Sequence, residues 1–221
     1  MSCCPGDEYH RMFTTREASR TASRFRRHGL QGTAAELAAA VERAVRPGGL
    51  LLEVGGGAGQ IQVALLENDP AARSLNVELS DNWEDAAAAL IEEHNLGDRT
   101  ERRLGDFVGL APSLASAEAV VMHRVICCYP DWRAMLGAAI DRSRNVIGVT
   151  VPNSRWWIRA LIAVANLLLR LRRVNFRGYV HPVALMETVM ESAGFVAIYA
   201  RSHPVWRTMV WRRKDPAPAA S

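Results

Sequence analysis

A glycine-packed turn after an apolar strand is the feature that most constrains the fold. The chain has 221 residues, and residues 50–60 read LLLEVGGGAGQ. An apolar run of strand length ends in Glu53, passes through Gly55, Gly57 and Gly59, and then enters a helical pattern of apolar residues. Glycines occur where a turn needs a positive φ or where a ligand approaches the backbone closely. The segment therefore predicts a strand, a tight turn and a helix that together form a ligand-binding loop.

The spacing of these glycines separates classes of nucleotide-binding loop. A dinucleotide fingerprint requires Gly-x-Gly-x-x-Gly, but its third glycine falls on Gln60 when counted from Gly55 and on Gln62 when counted from Gly57. No Gly-Lys-Ser/Thr follows, which excludes a phosphate-binding P-loop. The pattern Glu-x-Gly-x-Gly-x-Gly resembles the first motif of class I S-adenosylmethionine-dependent methyltransferases. That resemblance implies S-adenosyl-L-methionine as the cofactor.

The order of the elements favours an α/β domain. Helical patterns alternate with five strand patterns, which predicts a parallel sheet with helices on both faces; these strands are expected at 50–54, 74–79, 100–104, 119–123 and 145–151. Two closing strands, 196–201 and 205–211, are joined by a short turn and should be antiparallel to each other. This layout resembles the class I methyltransferase fold, a doubly wound, mostly parallel seven-stranded sheet with a reversed last strand.

The chain is expected to divide into three parts. Residues 1–46 form an N-terminal helical arm or cap, in which residues 10–28 carry six arginines. Residues 47–214 form the methyltransferase domain that the resemblance implies, with an apolar helical insertion at 154–173. Residues 215–221 are expected to form a disordered tail.

A second helix is expected within the arm, beginning at Thr33. Thr33 is predicted to be its N-cap, because Glu36 follows at the spacing of a capping box. Pro47 and the two glycines after it are expected to end this helix before the first strand.

Composition favours a cytoplasmic protein without nucleic acid as its partner. The net charge of +4 is modest, and only one of the 27 basic residues is a lysine, which indicates compositional bias more than a nucleic-acid-binding surface. The first thirty residues hold no continuous apolar run, so no signal peptide is expected. We therefore expect the protein in the cytoplasm or at the periphery of a membrane. The oligomeric state is left open.

Acidic residues after the second and third strands extend the resemblance. Glu78 lies 19 residues past Gly59, where an acid can accept hydrogen bonds from both ribose hydroxyls, although a solvated strand-end acid would look the same. In the family, an acid at the position of Asp106 binds the adenine amine and the next residue, here Phe107, packs on the ring. Asp106 also fits an ordinary turn. Glu53 would lie beneath the glycine loop and orient its backbone or the methionine amino group.

Residues 120–132, VVMHRVICCYPDW, resemble the segment after the fourth strand in small-molecule methyltransferases. There two histidines often follow the strand, and Cys127 and Cys128 stand in their places. The resemblance implies that this segment lines the pocket, with His123 as the first candidate for a base, Tyr129 as the second, and Cys127 in contact with the substrate. His123 also reads as a hydrogen-bonded core histidine.

The four cysteines occur as two adjacent pairs, Cys3-Cys4 and Cys127-Cys128. Adjacent cysteines seldom direct both sulfurs at one metal ion, so no metal site is expected. The second pair reads as small apolar thiols, and the role of the first pair is left open.

An apolar run at 156–173, interrupted by Arg159 and Asn166, is too short to span a bilayer. It fits a lid over the substrate, a helix on a membrane surface, a dimer contact or a helix buried on the sheet. Arg177 and Tyr179, which follow it, are expected to face the acceptor, since arginine suits an acidic group.

The sequence therefore predicts a methyltransferase that acts on an oxygen or carbon of a small, hydrophobic acceptor. The layout is similar to that of magnesium-protoporphyrin O-methyltransferases, although the residues after the fourth strand differ. Two alternatives stay open: an RNA methyltransferase, given the arginine-rich arm, and a non-catalytic cofactor-binding or membrane-associated protein on the same scaffold.

Overall fold

A computed structural model describes residues 12–215 and contains one seven-stranded sheet. Its strands are β1 (Leu50–Val54), β2 (Arg73–Glu78), β3 (Thr100–Leu104), β4 (Ala117–His123), β5 (Ser143–Pro152), β6 (Phe195–Ser202) and β7 (Trp206–Arg213). The order across the sheet is β3-β2-β1-β4-β5-β7-β6. Neighbours among β1–β5 are parallel, whereas β7 is antiparallel to both β5 and β6. The expected sheet and its reversed last strand are confirmed.

Helices cover both faces of the sheet, as a doubly wound fold requires. In the described part of the chain they are α1 (Thr15–His28), α2 (Gly32–Glu42), α3 (Gln60–Asn68), α4 (Glu84–Glu93), α5 (Phe107–Leu110), α6 (Trp132–Arg142), α7 (Trp156–Leu171) and α8 (Val183–Ser192). One apolar core joins α6 and α8 to the sheet, and a second joins α1–α4 to its other face.

The central strand β1 shows how the sequence sets these two layers. Side chains alternate along a strand, so Leu52 and Val54 pack into the core under α6 and α8, whereas Leu51 packs into the core under α1–α4. Glu53 shares the face of Leu51. The alternation therefore places this acid on the side of α3, the helix that follows the glycine turn.

The predicted capping box at Thr33 is wrong. Helix α2 begins one residue earlier, and its N-cap is Gln31. The Thr33 hydroxyl instead lies 3.0 Å from Nε2 of His123 on β4. Glu36 accepts a hydrogen bond from the Tyr199 hydroxyl, with an oxygen–oxygen distance of 2.6 Å. Both side chains bond to residues that are remote in sequence, and these tertiary contacts override the local preference for a helix cap.

Helix α7 is not buried on the sheet, so that alternative for the apolar run is excluded. Within it only Ile158 is buried, and most of its other side chains are exposed. No helix in residues 12–215 combines the length and the apolar character needed to cross a membrane. Cys3, Cys4 and the expected tail from residue 216 onward lie outside the described residues.

Candidate functional site

A cavity of about 510 Å³ lies at the carboxyl ends of β1–β4, the edge at which open α/β sheets bind ligands. Its volume falls within the range of small-molecule sites. The strand ends contribute Glu53 with the glycine loop, Glu78, Asp106 and His123. Residues from Phe13 through α1 also line the cavity. The geometry therefore collects in one cavity the polar groups that the sequence placed after four different strands.

The glycine loop is a backbone surface that side chains would obstruct. Gly55, Gly57 and Gly59 have φ values of 61°, 57° and 76°, a region that other residues rarely adopt. A Cβ atom on Gly55 would approach Val125 Cγ2 to 2.5 Å, and one on Gly57 would contact the Trp83 ring at 3.3 Å. Gly55 and Gly57 line the cavity, whereas buried Gly59 turns the chain into α3.

The carboxylate of Glu78 joins the end of β2 to the glycine loop. Its Oε2 accepts a hydrogen bond from the Gly57 backbone N–H at 2.9 Å. Its Oε1 accepts two more, from Leu79 at 2.8 Å and Ser80 at 3.1 Å. Burial raises the pKa of Glu78, and these three backbone donors oppose that rise. Glu78 is therefore held in one orientation at the edge of the cavity.

Glu53 lies directly beneath the loop, as expected. Its Oε2 accepts hydrogen bonds from the Gln62 backbone N–H at 3.3 Å and from Asn76 Nδ2 at 3.2 Å. A Cβ atom on Gly56 would come within 2.6 Å of the same oxygen, so the loop rests on this carboxyl group. Burial raises the pKa of Glu53 to about 7. The carboxyl group can therefore carry or lose its proton near neutral pH.

Arg102 on β3 is a site residue that sequence reasoning missed. Its Nη2 donates to the Gly57 carbonyl at 3.1 Å and to Glu84 Oε1 at 2.7 Å. Its positive charge also opposes the effect of burial on the pKa of Glu53. Arg102 lies in the middle of the edge strand β3, directly before the exposed Arg103, and no sequence motif distinguishes the two arginines.

Asp106 and Tyr129 bring the ends of β3 and β4 together. Asp106 Oδ1 accepts from the Val108 backbone N–H at 3.1 Å and so caps the short helix α5. Its Oδ2 accepts from the Tyr129 hydroxyl at 3.2 Å. Phe107 is buried, and all three side chains belong to residues that line the cavity. Asp106 is therefore both the turn residue and the cavity residue that the sequence allowed.

His123 also lines the cavity, and its ring is already hydrogen-bonded. Thr33 Oγ1 lies 3.0 Å from His123 Nε2 and 3.0 Å from Arg124 Nη2. Because a guanidinium group can only donate, the Thr33 oxygen accepts from Arg124 and its proton is available to His123. Burial, assisted by the charge of Arg124, lowers the pKa of His123 to about 3. The ring is therefore neutral at physiological pH.

The three residues that the sequence predicted to contact the substrate do not line this cavity. Cys127 is buried with its sulfur 3.9 Å from that of Cys128, and it is Cys128 that lines the cavity. Tyr179 stacks on His181 with 5.5 Å between ring centroids, and Arg177 is exposed. Among the described residues, Cys127, Arg177 and Tyr179 are not part of the cavity lining. Residues 12–215 bring together no group of three His, Cys, Asp or Glu side chains suited to a metal ion.

Comparison with solved structures identifies this architecture. An O-methyltransferase family protein from Burkholderia thailandensis matches with a TM-score of 0.70 and 20% identity over 90% of the present chain, which spans only 60% of that protein. Magnesium protoporphyrin IX methyltransferase from Synechocystis, with bound SAH, matches with a TM-score of 0.66 and 16% identity over 94% of both chains. The fold is that of a class I methyltransferase.

This class I methyltransferase fold also occurs in a protein described by another reaction. The [4+2]-cyclase SpnF matches with a TM-score of 0.58 and 14% identity over 80% of each chain. No protein-family model matches the present sequence, and no curated protein does. Because one fold hosts different reactions, the function has to be argued from the site.

Proposed function

We propose that this protein is an S-adenosylmethionine-dependent methyltransferase that acts on an oxygen or carbon of a small, hydrophobic acceptor. The observation that carries the proposal is the meeting of the glycine loop, Glu78 and Asp106 in one cavity at the strand ends. Bare backbone beside two separate carboxylates suits a ligand with a sugar diol and an amino-bearing base.

The cavity residues fit this cofactor. Gly55 and Gly57 are partly exposed and line the cavity, and a Cβ atom at either position would meet a neighbouring side chain. Glu78 accepts three hydrogen bonds, and because a carboxylate offers about four acceptor positions, one on Oε2 is left for a ribose hydroxyl. Asp106 would take the adenine amine, beside Phe107. Support also comes from the structural neighbour from Synechocystis, which has been solved with bound SAM as well as SAH.

When bound, the cofactor supplies a methyl group that is already activated on a sulfonium sulfur. The protein then has to align the acceptor and exclude water, so proximity and orientation account for most of the rate. Phe13 contributes to exclusion, since its ring packs near Trp83 with 6.3 Å between centroids and both residues line the cavity. His123, neutral and part of the cavity lining, would orient the acceptor by accepting a hydrogen bond from its hydroxyl in place of Thr33, since a ring with a pKa of about 3 is too weak a base to take its proton.

The cavity lining supports a hydrophobic acceptor with an acidic substituent. Phe25, Leu30 and Val125 give apolar surface. Arg24 and Arg124 also line this cavity, and a guanidinium group can bind a carboxylate through two parallel hydrogen bonds. Arg124 is held by Trp206, whose ring centroid lies 4.4 Å from the guanidinium carbon. We therefore assign to these two arginines the role that the sequence suggested for Arg177.

Titration calorimetry with S-adenosylmethionine and S-adenosylhomocysteine, with NADH as the control ligand, tests the proposal. We expect binding of the first two ligands and none of NADH. Asp106→Ala should weaken S-adenosylhomocysteine binding by about tenfold or more, since it removes a charged hydrogen-bond acceptor. Asp98→Ala, at an exposed position, is the matched control and should leave affinity unchanged. Absence of binding by the wild-type protein would overturn the proposal.

A different reaction on the same cofactor-binding scaffold is the second candidate, because a neighbour with this fold is described as a cyclase. Acceptor screening with radiolabelled methyl donor separates the two. Methyl transfer to a small hydrophobic acceptor supports the proposal. Tight cofactor binding without transfer to any small acceptor favours the second candidate, and salt-sensitive RNA binding would favour an RNA methyltransferase instead.

A further inference from the structure

Helix α7 presents an apolar face to solvent. Its six large exposed apolar side chains are between 53% and 80% accessible: Trp156, Leu161, Val164, Leu167, Leu168 and Leu171. At about 3.6 residues per turn, these positions project to one side of the helix. A contiguous apolar surface of this kind on a folded protein marks a site of interaction.

The opposite side of α7 already has its partners. Ile158 is buried. Asn166 Nδ2 donates to the Gly178 carbonyl at 2.8 Å, and its Oδ1 accepts from the Gly178 N–H at 2.9 Å. The segment 174–182 is thereby fastened along the inner side of the helix. The apolar face is left uncovered by any other part of residues 12–215.

Exposed arginines lie along one edge of this face and at both ends of the helix. Arg159 and Arg170 are 11 residues apart, which places them on one edge of the helix, and three more exposed arginines stand at its two ends: Arg155, Arg172 and Arg173. The sequence contains no Asp or Glu between Ser143 and Met186. Within residues 12–215, none of the five guanidinium groups has a carboxylate partner.

We propose that α7 docks in the plane of a membrane surface that carries anionic lipid. The apolar side chains would enter the boundary between headgroups and acyl chains, and the arginines would reach outward to lipid phosphates. The helix has 16 residues and is therefore about 24 Å long, shorter than a hydrocarbon core of about 30 Å, so it lies along the surface.

A second copy of the chain fits this face less well than an anionic membrane does. In a symmetric dimer, the same patch of each protomer faces its counterpart. Two arginine rims would then approach each other with no acid between them, and like charges repel. An anionic surface instead neutralises the rim while it covers the apolar side chains.

Docking through α7 would also bring the cavity close to the membrane. The segment 174–182 includes Phe176, whose ring packs edge-on against Phe13 with 5.9 Å between centroids. Phe13 in turn lines the cavity. One connecting segment thus separates the docking face from the cavity wall. The proposal itself does not depend on the proposed methyl transfer.

Vesicle flotation of the purified full chain tests the proposal. The vesicles are phosphatidylcholine alone and phosphatidylcholine mixed with phosphatidylglycerol, at low and high salt. We expect binding to the mixed vesicles only, weakened by salt. The double variant Leu167→Glu with Leu171→Glu should reduce binding at least about tenfold, because it removes two inserted side chains and adds negative charge. Arg159→Gln with Arg170→Gln should also weaken binding.

Matched controls keep the result specific to α7. Leu185→Glu changes an exposed leucine on α8, and Arg16→Gln with Arg20→Gln removes the same charge from exposed positions on α1. These variants should bind like the wild-type protein, and circular dichroism melting curves should show that every variant is folded. The proposal is overturned if the wild-type protein ignores anionic vesicles, if the controls lose as much binding as the α7 variants, or if light scattering shows that the α7 variants abolish a dimer instead.

Discussion

Two regions of this molecule hold their charges in opposite ways. The glycine-loop side is formed by β1–β3 and the loops that follow them. Its charged residues Glu53, Glu78 and Arg102 are mostly buried, and each of them forms a hydrogen bond with the backbone of the glycine loop or of α3. On the α7 side, formed by α7 and the 174–182 segment, the arginines are exposed and have no acid nearby in sequence. The charges of the first region are satisfied by contacts within the protein, whereas those of the second are presented to solvent and to a partner.

Removing Arg102 should have the largest effect. Arg102→Ala leaves the Gly57 carbonyl and Glu84, whose side chain is 34% exposed, without their donor, and we expect the free energy of unfolding to fall by about 3 kcal/mol. Urea denaturation measures this change. The matched control is Arg103→Ala, whose exposed pair with Glu101 should contribute less than about 1 kcal/mol. Equal losses in the two variants would contradict the distinction between buried and exposed arginines on this strand.

The ionisation of Glu53 should make stability depend on pH. Burial raises its pKa to about 7, above the value of an unfolded glutamate, so the folded state binds more protons between the two values. The free energy of unfolding should therefore fall as pH rises from about 4.5 to about 7, by on the order of 3 kcal/mol. Glu53→Gln should remove this part of the slope in urea denaturation series. An unchanged slope in the variant would show that another group titrates.

Glu78→Ala should weaken S-adenosylhomocysteine binding about a hundredfold, since it removes the proposed ribose acceptor and leaves the Gly57 N–H without its carboxylate. Calorimetry measures the affinity. Glu101→Ala changes an exposed acid on β3 and serves as the control. If both variants bind equally well, the assignment of Glu78 to the cofactor fails.

The effect of His123 should be smaller and confined to turnover. His123→Gln is expected to lower kcat about tenfold at unchanged S-adenosylhomocysteine affinity, because the ring positions the acceptor. Because its pKa is lowered to about 3, the wild-type pH profile of kcat/KM should show no inflection near pH 6.5 from this residue. If the wild-type profile does show an inflection near pH 6.5 and His123→Gln removes it, the ring titrates near neutral pH. Unchanged kcat would make His123 a structural residue.

The glycine-loop side was the more predictable region. The glycine pattern, Glu78 and Asp106 all follow strands of a parallel sheet, and the carboxyl ends of such strands lie along one edge. Local pattern and topology together were therefore sufficient to expect that these residues meet. The structure brings all of them to one cavity except Gly59, which turns the chain behind the loop.

Residues with partners remote in sequence could not be predicted. Thr33 reads as a helix cap from its neighbours, but its hydroxyl bonds to His123, 90 residues away. Arg102 bonds to Gly57, 45 residues earlier. Neither partner leaves a signal in the local pattern, since a single threonine or arginine is compatible with many surroundings.

The burial of α7 could not be read from its composition either. An apolar run of this length has the same hydropathy whether it packs on a sheet or faces solvent. The path of the following segment decides whether the helix is buried or exposed. Asn166 holds that segment against one side of the helix through its two hydrogen bonds with Gly178. One polar residue inside the apolar run thus marks the inner side.

The position of β7 between β5 and β6 has a consequence for how the chain folds as it is synthesised. β6 is made before β7, yet β7 is the strand with which β6 pairs in the described sheet. Until β7 is available, β6 has no neighbour and the edge of β5 that β7 covers is open. Open strand edges pair readily with other chains. A nascent or truncated chain that ends before Trp206 should therefore be the form most prone to aggregate.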